Sequence, residues 1–437
     1  MSFTERLKAL RAQLRLDAHH SIERFGVIFA MVALSGLLVL TATGFTAYRN
    51  SGADLAAKAL YTPSFTTSKT QLSGKVTGVY TNSAQTKAMV LMQFDQQAQI
   101  SHQADTYKAF LLGATDTLDN TPLQTPDIKG EVYVYGSTGY VGVVLTAPQR
   151  FSSQVMNLVM RANAELSFSE QQKQGAGVGQ LAGDKSFQKF DQWQVFFNPV
   201  AKGAQVIGAL NKPTFDPDTA FYQTVVKTQE QQVRDQLDTQ LLKMRADLAQ
   251  INSYTQDLLT TKVDGISLKP PVVPKDIAGD TVTGKSATEA GNGRATLALH
   301  TKNTVPGGVQ FDWRAGNVDS GYLDKVVPAG QSYVSFLTAL TQASQDPSNT
   351  DEVSAVQWVL SDGTNLADMS QSNSALQPLV TVMNNLSGAY QSYKTDKAVY
   401  QTTLLPQLLT LDSNLRDVSQ NSSTSTGTAS KPFLTTY

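Results

Sequence analysis

The feature that most constrains this chain of 437 residues is an apolar or neutral segment at positions 25–47 that contains no charged residue. An α-helix rises by about 1.5 Å per residue, so this segment would cover roughly 30 Å, the thickness of the hydrocarbon core of a bilayer. No second segment of this length and polarity occurs in the chain. The sequence therefore predicts one transmembrane helix at 25–47 and places most of the chain on one side of one membrane.

Basic residues beside this segment predict its orientation, because cytoplasmic flanks are enriched in Lys and Arg. The leader at 1–24 carries more basic residues than the linker at 48–69; those of the leader are Arg6, Lys8, Arg11, Arg15 and Arg24. We therefore predict a cytoplasmic basic amphipathic leader and an extracytoplasmic body in the cell envelope. A cleaved secretory signal is the competing interpretation, although its apolar core is usually shorter. A solvated leader, rather than one lying on the inner leaflet, is a further alternative.

The composition excludes several kinds of chemistry. The chain contains no cysteine, which excludes disulfides, thiol nucleophiles and cysteine-ligated metals. Its formal net charge is -1 at pH 7 with both signs interspersed, so it lacks the basic field that nucleic-acid binding requires. The predicted partners are therefore the membrane and other cell-envelope proteins, and nucleic acid is not among them.

Short runs of β-branched and aromatic residues alternate with turn residues across 70–210. The clearest hairpin joins 131–135 to 140–145 through a turn that contains Gly136 and Gly139. The predicted strands lie at 72–80, 87–94, 107–112, 131–135, 140–145, 151–161 and 192–197. This pattern predicts an antiparallel β-sandwich at 70–210.

Two long helical stripes follow the β region. Asp216 and Pro217 mark the start of the first stripe, because a capping carboxylate before a proline signals a helix N-terminus. Apolar residues spaced by three and four run through 216–264 and again through 374–418, as in a coiled coil. Their similar lengths predict two coiled-coil arms that pair antiparallel as one long hairpin, with an irregularity at Pro406. A parallel homo-oligomer, in which each stripe meets its copy in another chain, is the alternative.

The insert between the two arms, at 266–373, shows strand and helix patterns and is predicted to form a small α+β domain at the tip of the hairpin. Trp313 and Trp358 are expected in its core. The Ser/Thr-rich end at 419–437 is predicted to be a disordered tail. The expected fold class is therefore mixed: one N-terminal transmembrane helix, an antiparallel β-sandwich, and a coiled-coil hairpin with an inserted tip domain.

The search for catalytic or ligand-binding motifs yields mostly negatives. His102 and His300 have no ligand-spaced neighbour in the sequence, and the other two histidines lie in the leader. A glycine run at 175–179 lacks the lysine of a phosphate loop. Acidic sets at 346–351 and 362–368 lack the spacing of a calcium loop. We therefore expect no catalytic, cofactor-binding or metal-binding residues, although a carboxylate pair assembled only in space would escape this search.

Three functions fit these patterns. The first is a non-enzymatic, membrane-anchored scaffold or interaction protein that projects binding modules on a stalk within a secretion, conjugation or adhesion assembly. The second is a transport adaptor of the membrane-fusion type, although here a whole domain, rather than a short turn, occupies the predicted tip. The third is an enzyme that acts on cell-wall polymer, which would require an acidic cleft. The first is favoured, because a long stalk can extend a binding module away from the membrane but has little use in a catalyst.

Overall fold

The computed structural model describes residues 58–95, 100–162, 190–291, 293–305, 309–345, 353–370 and 374–437. The predicted leader and transmembrane segment, and most of the linker, lie outside these ranges. Within the described ranges, no helix combines the length and the apolar character needed to cross a bilayer. The assignment as a single-pass membrane protein, and the extracytoplasmic localisation derived from it, are therefore corrected, because the described chain gives them no support.

Two sheets of short strands form the β region. The strands of the described chain are β1 Ser64–Thr66, β2 Ser73–Thr81, β3 Lys87–Phe94, β4 Tyr107–Ala114, β5 Asn120–Thr121, β6 Lys129–Val134, β7 Tyr140–Thr146, β8 Val155–Ala162, β9 Gln192–Phe197, β10 Gln205–Val206, β11 Thr281–Thr283, β12 Ala298–His300, β13 Ser423–Ser425, β14 Gly427–Thr428, β15 Lys431–Pro432 and β16 Leu434–Thr436. The first sheet has the order β1-β2-β3-β7-β6-β13, with β10 beside β2. The second has the order β16-β4-β8-β9, with β5 beside β4.

These sheets differ from the predicted antiparallel sandwich in two ways. β10 pairs parallel with β2, and β16 pairs parallel with β4, so each sheet is mixed. The segment predicted to be a disordered tail supplies β13 to the first sheet and β16 to the second, so that prediction is wrong. Its strands are only three residues long and rich in Ser and Thr. They gain their stability from the ladders that they join, which a local hydrophobicity pattern does not reveal.

The two sheets enclose one apolar core. Alternate residues of β3, β7, β4, β8 and β9 point into it, as the period of two in a strand requires. An aromatic cluster lies at its centre: the ring of Trp193 lies 5.3 Å from that of Phe94 and 5.7 Å from that of Phe65. Phe433, just before β16, is also buried there. The C-terminal segment thus contributes to the core as well as to both sheets.

Helices cover the opposite face of the first sheet. The α-helices of the described chain are α1 Pro217–Phe221, α2 Lys227–Thr260, α3 Leu323–Val326, α4 Tyr333–Gln345, α5 Leu366–Ser370, α6 Gln377–Ala398 and α7 Leu405–Asn421. A π-helical turn, Tyr222–Val226, joins α1 to α2, and another, Val399–Leu404, joins α6 to α7. We refer to the continuous segments 217–260 and 377–421 as the first and second long helices.

Local sequence explains the start of one long helix and the irregularity in the other. Asp216 caps the first long helix by accepting a hydrogen bond from the Thr219 N–H at 3.3 Å, and Pro217 follows at the first helical position. In the second long helix the π-helical turn lies immediately before Pro406. Proline cannot donate to the carbonyl four residues earlier, that of Thr402, so the regular α-helical pattern is interrupted there.

The insert does not sit at the tip of a hairpin. Its buried side chains, those of both long helices and those on the outer face of the first sheet form one continuous core. In that core Phe221 of the first long helix packs 5.3 Å from the ring of Tyr135, and Trp313 of the insert donates a hydrogen bond to the hydroxyl of Tyr400 at 3.0 Å. The described chain therefore contains no long coiled-coil hairpin. The apolar stripes are buried, but they face the insert and the sheet as well as each other.

Charged side chains fasten the insert along the first long helix. Glu230 is buried, and its Oε1 accepts from Arg234 at 2.8 Å and from the Val318 N–H of the insert at 3.2 Å. The Arg234 guanidinium also donates to the hydroxyl of Tyr322 and to the carbonyl oxygen of Gly316, both in the insert. These contacts lie near the start of the helix, roughly 40 Å from its far end, so the insert folds back beside the helix.

The second long helix holds the insert in the same way. Asp412 is buried and accepts a hydrogen bond from the Leu323 N–H at 2.6 Å, at the start of α3. Arg416 bonds to Asp412 at 3.1 Å and to Asp324 at 2.7 Å. The fold is thus two mixed sheets that enclose one core, with a helical layer packed on the first sheet, in place of the predicted purely antiparallel sandwich, stalk and tip.

Candidate functional site

Two adjoining cavities lie where the β region meets the long helices. One, of about 700 Å³, is lined by small or polar residues: His102, Gln103, Gly136, Ser137, Asp417, Gln420, Asn421, Ser422, Ser423 and Thr424. The other, of about 400 Å³, has an apolar part formed by Ile100, Phe221, Val225, Val226 and Leu411 and a polar rim that includes Gln93, Gln229 and Asn414. Both cavities are lined by His102 and Ser137. We call the two together the junction groove.

The turn between β6 and β7 forms the ridge shared by both cavities. Gly136 has a φ of +53°, a left-handed conformation that favours glycine. A Cβ at this position would also lie 2.4 Å from Oδ2 of Asp417, so the close approach of the second long helix requires glycine. The turn predicted from the sequence therefore joins β6 to β7 and also provides the contact between the β region and the second long helix.

Asp417 clamps this turn to the end of the second long helix. Its Oδ2 accepts from the Ser137 N–H at 2.6 Å and from the Ser137 hydroxyl at 2.8 Å, while its Oδ1 accepts from the Asn421 side chain at 2.8 Å. Burial by itself raises the pKa of Asp417, but these hydrogen bonds outweigh it and hold the pKa below its usual range. Asp417 is therefore ionised at neutral pH.

A serine, a histidine and an aspartate thus line one groove, as in a hydrolytic triad, but their contacts differ from those of a triad. The Ser137 hydroxyl donates to Asp417, and the ring Nδ1 of His102 lies 3.0 Å from the carbonyl oxygen of Gly136. A nucleophilic serine needs a base that can take its proton, and a carboxylate with a lowered pKa is a poor one. The arrangement therefore fits a structural clamp better than a catalytic pair made of a nucleophile and a general base.

The other residues singled out in the sequence are dispersed over the fold. His300 lies on β12, where its Nε2 is 2.8 Å from the hydroxyl oxygen of Thr283 on β11. Asp362 accepts hydrogen bonds from Thr364, which is turn chemistry. The glycine run at 175–179 and the acidic set at 346–351 lie outside the described residues. In the part of the chain that the structure describes, no three His, Asp or Glu side chains converge as metal ligands would.

Trp313 is in the core, as predicted, and its ring is flanked by two guanidinium groups. Arg314 lies 4.2 Å and Arg234 5.4 Å from the centre of the ring. Trp358 is half-buried against the same core. The predicted core position is therefore confirmed for Trp313, whereas Trp358 lies at the edge of that core.

Sequence reasoning missed the junction groove. Ser137 and Asp417 are 280 residues apart, and neither belongs to a motif that would single it out. The turn glycines were the available local signal, and they predicted only a hairpin. Comparison of the chain with protein-family models, with curated proteins and with solved structures found no match.

Proposed function

We propose that this protein is a non-enzymatic interaction protein whose junction groove binds an extended segment of a partner protein. The observation that carries the proposal is that the β region and the second long helix both line the groove and are clamped together by Asp417 and Ser137. A site assembled in this way is fixed before the partner arrives. Binding then costs little conformational entropy in the receptor.

Two features of the groove lining, one in each cavity, suit a polypeptide ligand. The larger cavity offers amide and hydroxyl groups, including those of Gln103, Gln420 and Thr424, which suit the backbone of an extended peptide. The smaller cavity offers an apolar area around Phe221 and Leu411, which suits one hydrophobic side chain. This combination of hydrogen-bonding groups with one apolar pocket is typical of peptide recognition.

The proposal keeps the scaffold function but rests on different grounds. It draws on the groove and needs neither a stalk nor a membrane anchor. The transport adaptor loses its main support, because the described chain lacks the long hairpin on which that function was argued. An enzyme remains the competing class, and it is tested below through the serine in the groove.

Site-specific photo-crosslinking tests the proposal. A photoreactive amino acid replaces Gln420 in the groove and, in a matched control, replaces Gln250, which is exposed on the first long helix. In cells of the source organism we expect a discrete crosslinked product from position 420 that is absent from position 250. Substituting Asn414→Trp, which fills the smaller cavity, should abolish that product. Identical products from both positions, or a product that survives Asn414→Trp, would contradict binding in the groove.

A fluorophosphonate probe tests the enzymatic alternative. Such probes label serines activated by a neighbouring base. We expect the folded protein to remain unlabelled, because the Ser137 hydroxyl is held by an ionised carboxylate. Labelling of the wild type that disappears in Ser137→Ala would overturn the non-enzymatic assignment.

A further inference from the structure

Two aspartates face each other across the long helices, well away from the junction groove. The amide of Gln240 on the first long helix donates to the carbonyl oxygen of Asp396 on the second at 2.9 Å, which fixes their register. The start of the first helix packs on α7, so the two helices run antiparallel. Asp247 follows Gln240 by about two turns and lies on the same face. Helical side chains lean towards the N-terminus of their own helix, so Asp247 and Asp396 lean towards each other.

Charged and titratable groups around this pair come from both long helices and from the insert. Lys243 lies one turn before Asp247 on the same helix. From the second long helix, Tyr393 and Lys397 face the insert, and both are bound to Oδ2 of Asp280. These bonds measure 2.7 Å from the Tyr393 hydroxyl and 2.6 Å from the Lys397 ammonium. The positive charge of Lys397 is therefore committed to Asp280.

One carboxylate oxygen of the pair is left without a partner. Oδ2 of Asp247 is buried and accepts no hydrogen bond within the described chain. A buried, unpaired carboxylate oxygen is costly, and two ionised carboxylates at one site repel each other. A single proton would remove both costs, because a protonated carboxyl can donate to its neighbour.

The surroundings of Asp247 shift its pKa in the direction that this geometry requires. Burial, and then the charge of Asp396 and a hydrogen bond with it, raise the pKa of Asp247 from 3.8 to about 6, while Lys243 opposes the shift. The folded protein therefore binds this proton more tightly than the unfolded chain does. The resulting stability is fully present below about pH 4 and is lost as the pH rises through about 6.

We propose that a protonated Asp247 donates a hydrogen bond to Asp396 and forms an acid-strengthened latch between the two long helices. When the proton leaves, the two carboxylates repel each other and the latch weakens. The same turns of the second long helix carry Tyr393 and Lys397, which hold the insert through Asp280. Loss of the proton therefore also loosens the docking of the insert.

Thermal unfolding of the full-length protein tests the latch. Asp396→Asn removes the repulsion and lets its amide donate to Asp247 at every pH. We expect this variant to unfold at a higher temperature than the wild type at pH 7.5, with an unfolding equilibrium constant lower by about tenfold at a common temperature. The difference should vanish at pH 5, with a midpoint near 6. Asp257→Asn, at an exposed aspartate of the first long helix, is the matched control and should show no such trend.

Carbon-13 NMR of labelled aspartate carboxyl groups provides a second readout. One signal of the wild type should titrate with a midpoint near 6 and be absent from Asp247→Asn. In Asp396→Asn the same signal should titrate at a lower pH than in the wild type, because the charge of Asp396 is gone and the Asn amide donates to Asp247. A wild type in which no aspartate titrates above 5, or a stability difference that is equal at both pH values, would overturn the latch.

Discussion

Apolar side chains fill both the space between the two sheets and the space between the long helices and the insert, but only the second contact also contains buried carboxylates among the described residues. Between the sheets the contacts are apolar, with Trp193 at the centre of an aromatic cluster. Among the described residues of the β region, the buried charged side chains lie elsewhere. Arg161 is on the outward face of β8, stacked on Phe110, and Asp191 binds the backbone at Thr70. Between the helices and the insert, by contrast, Glu230 and Asp412 are buried within the contact.

This difference reflects how the relative position of the packed elements is fixed in each region. In the sheets, strand pairing fixes which residues meet, so the core needs only apolar volume. The insert has no ladder to fix its position on the helices. Buried charged groups fix its position instead. If the insert shifted, a buried charge or its hydrogen-bond partner would be left unpaired, which is costly. The β region should therefore respond to loss of volume alone, and the helical layer to loss of charge as well as of volume.

The largest expected effect is on the apolar side. Trp193→Ala removes the centre of the aromatic cluster and leaves a cavity, and it should lower the free energy of unfolding by about 3–5 kcal/mol. The loss should be equal at pH 5 and pH 7.5, because the indole N–H bonds to the sulfur of Met92 and to no ionisable group. Denaturant titration at the two pH values measures it. A strongly pH-dependent loss would contradict the view that the contacts between the sheets are purely apolar.

The next effect is on the charged side. Glu230→Ala strips the hydrogen-bond acceptor from Arg234 and from the Val318 N–H and should cost about 2–3 kcal/mol. Glu230→Gln keeps the shape and one acceptor oxygen, so it should cost about half as much. Hydrogen exchange should show the loss in 316–326 of the insert and leave the strands of the β region protected. Equal loosening of the strands would contradict a local docking role.

A smaller effect is expected at the junction of the two regions. Gly136→Ala forces a left-handed conformation on alanine and pushes its Cβ against Asp417, and it should cost about 1–3 kcal/mol. Gly330→Ala is the matched control, because Gly330 also has a positive φ but its Cβ would meet open space. Calorimetric unfolding of both variants separates strain from clash. Equal losses would mean that contact with the helix adds nothing.

The smallest effect is expected at the surface. Arg245 bonds to Glu289 at 2.7 Å, and both side chains reach solvent. Exposed ion pairs contribute little, because water and salt screen them. Arg245→Gln should therefore leave the unfolding temperature within experimental error of the wild type, in contrast with Glu230→Ala. A comparable loss at both sites would show that burial does not distinguish the two pairs.

Individual strands, turns and helix ends could be predicted from the sequence where neighbouring residues determine them. The hairpin of β6 and β7, the strand β9 and the helix start at Asp216 follow from turn residues, alternation and a cap. The long helices follow from their apolar spacing. Positions 309–313 alternate apolar and polar residues, as in a strand, but they contain an isolated bridge at Val309 and a single helical turn from Trp313, because tertiary contacts outweigh local propensity there.

The arrangement of these elements could not be predicted in the same way. An apolar stripe indicates that one face of a helix is buried. It does not indicate which part of the chain covers that face. Partners as distant as Ser137 and Asp417, or Leu323 and Asp412, leave no mark on the local pattern. The junction groove and the buried charges are therefore visible only in the folded chain.

A crosslink tests most directly whether the insert lies beside the long helices rather than beyond their end. The chain has no cysteine, so the pair Asp324→Cys and Arg416→Cys can be introduced without interference. Asp324 and Arg416 contact each other at 2.7 Å, and both reach solvent. We expect rapid intramolecular crosslinking of this pair by a short bis-maleimide and none between Asp324→Cys and Gln256→Cys. Crosslinking of position 324 to 256, near the far end of the first long helix, and not to 416 would contradict it.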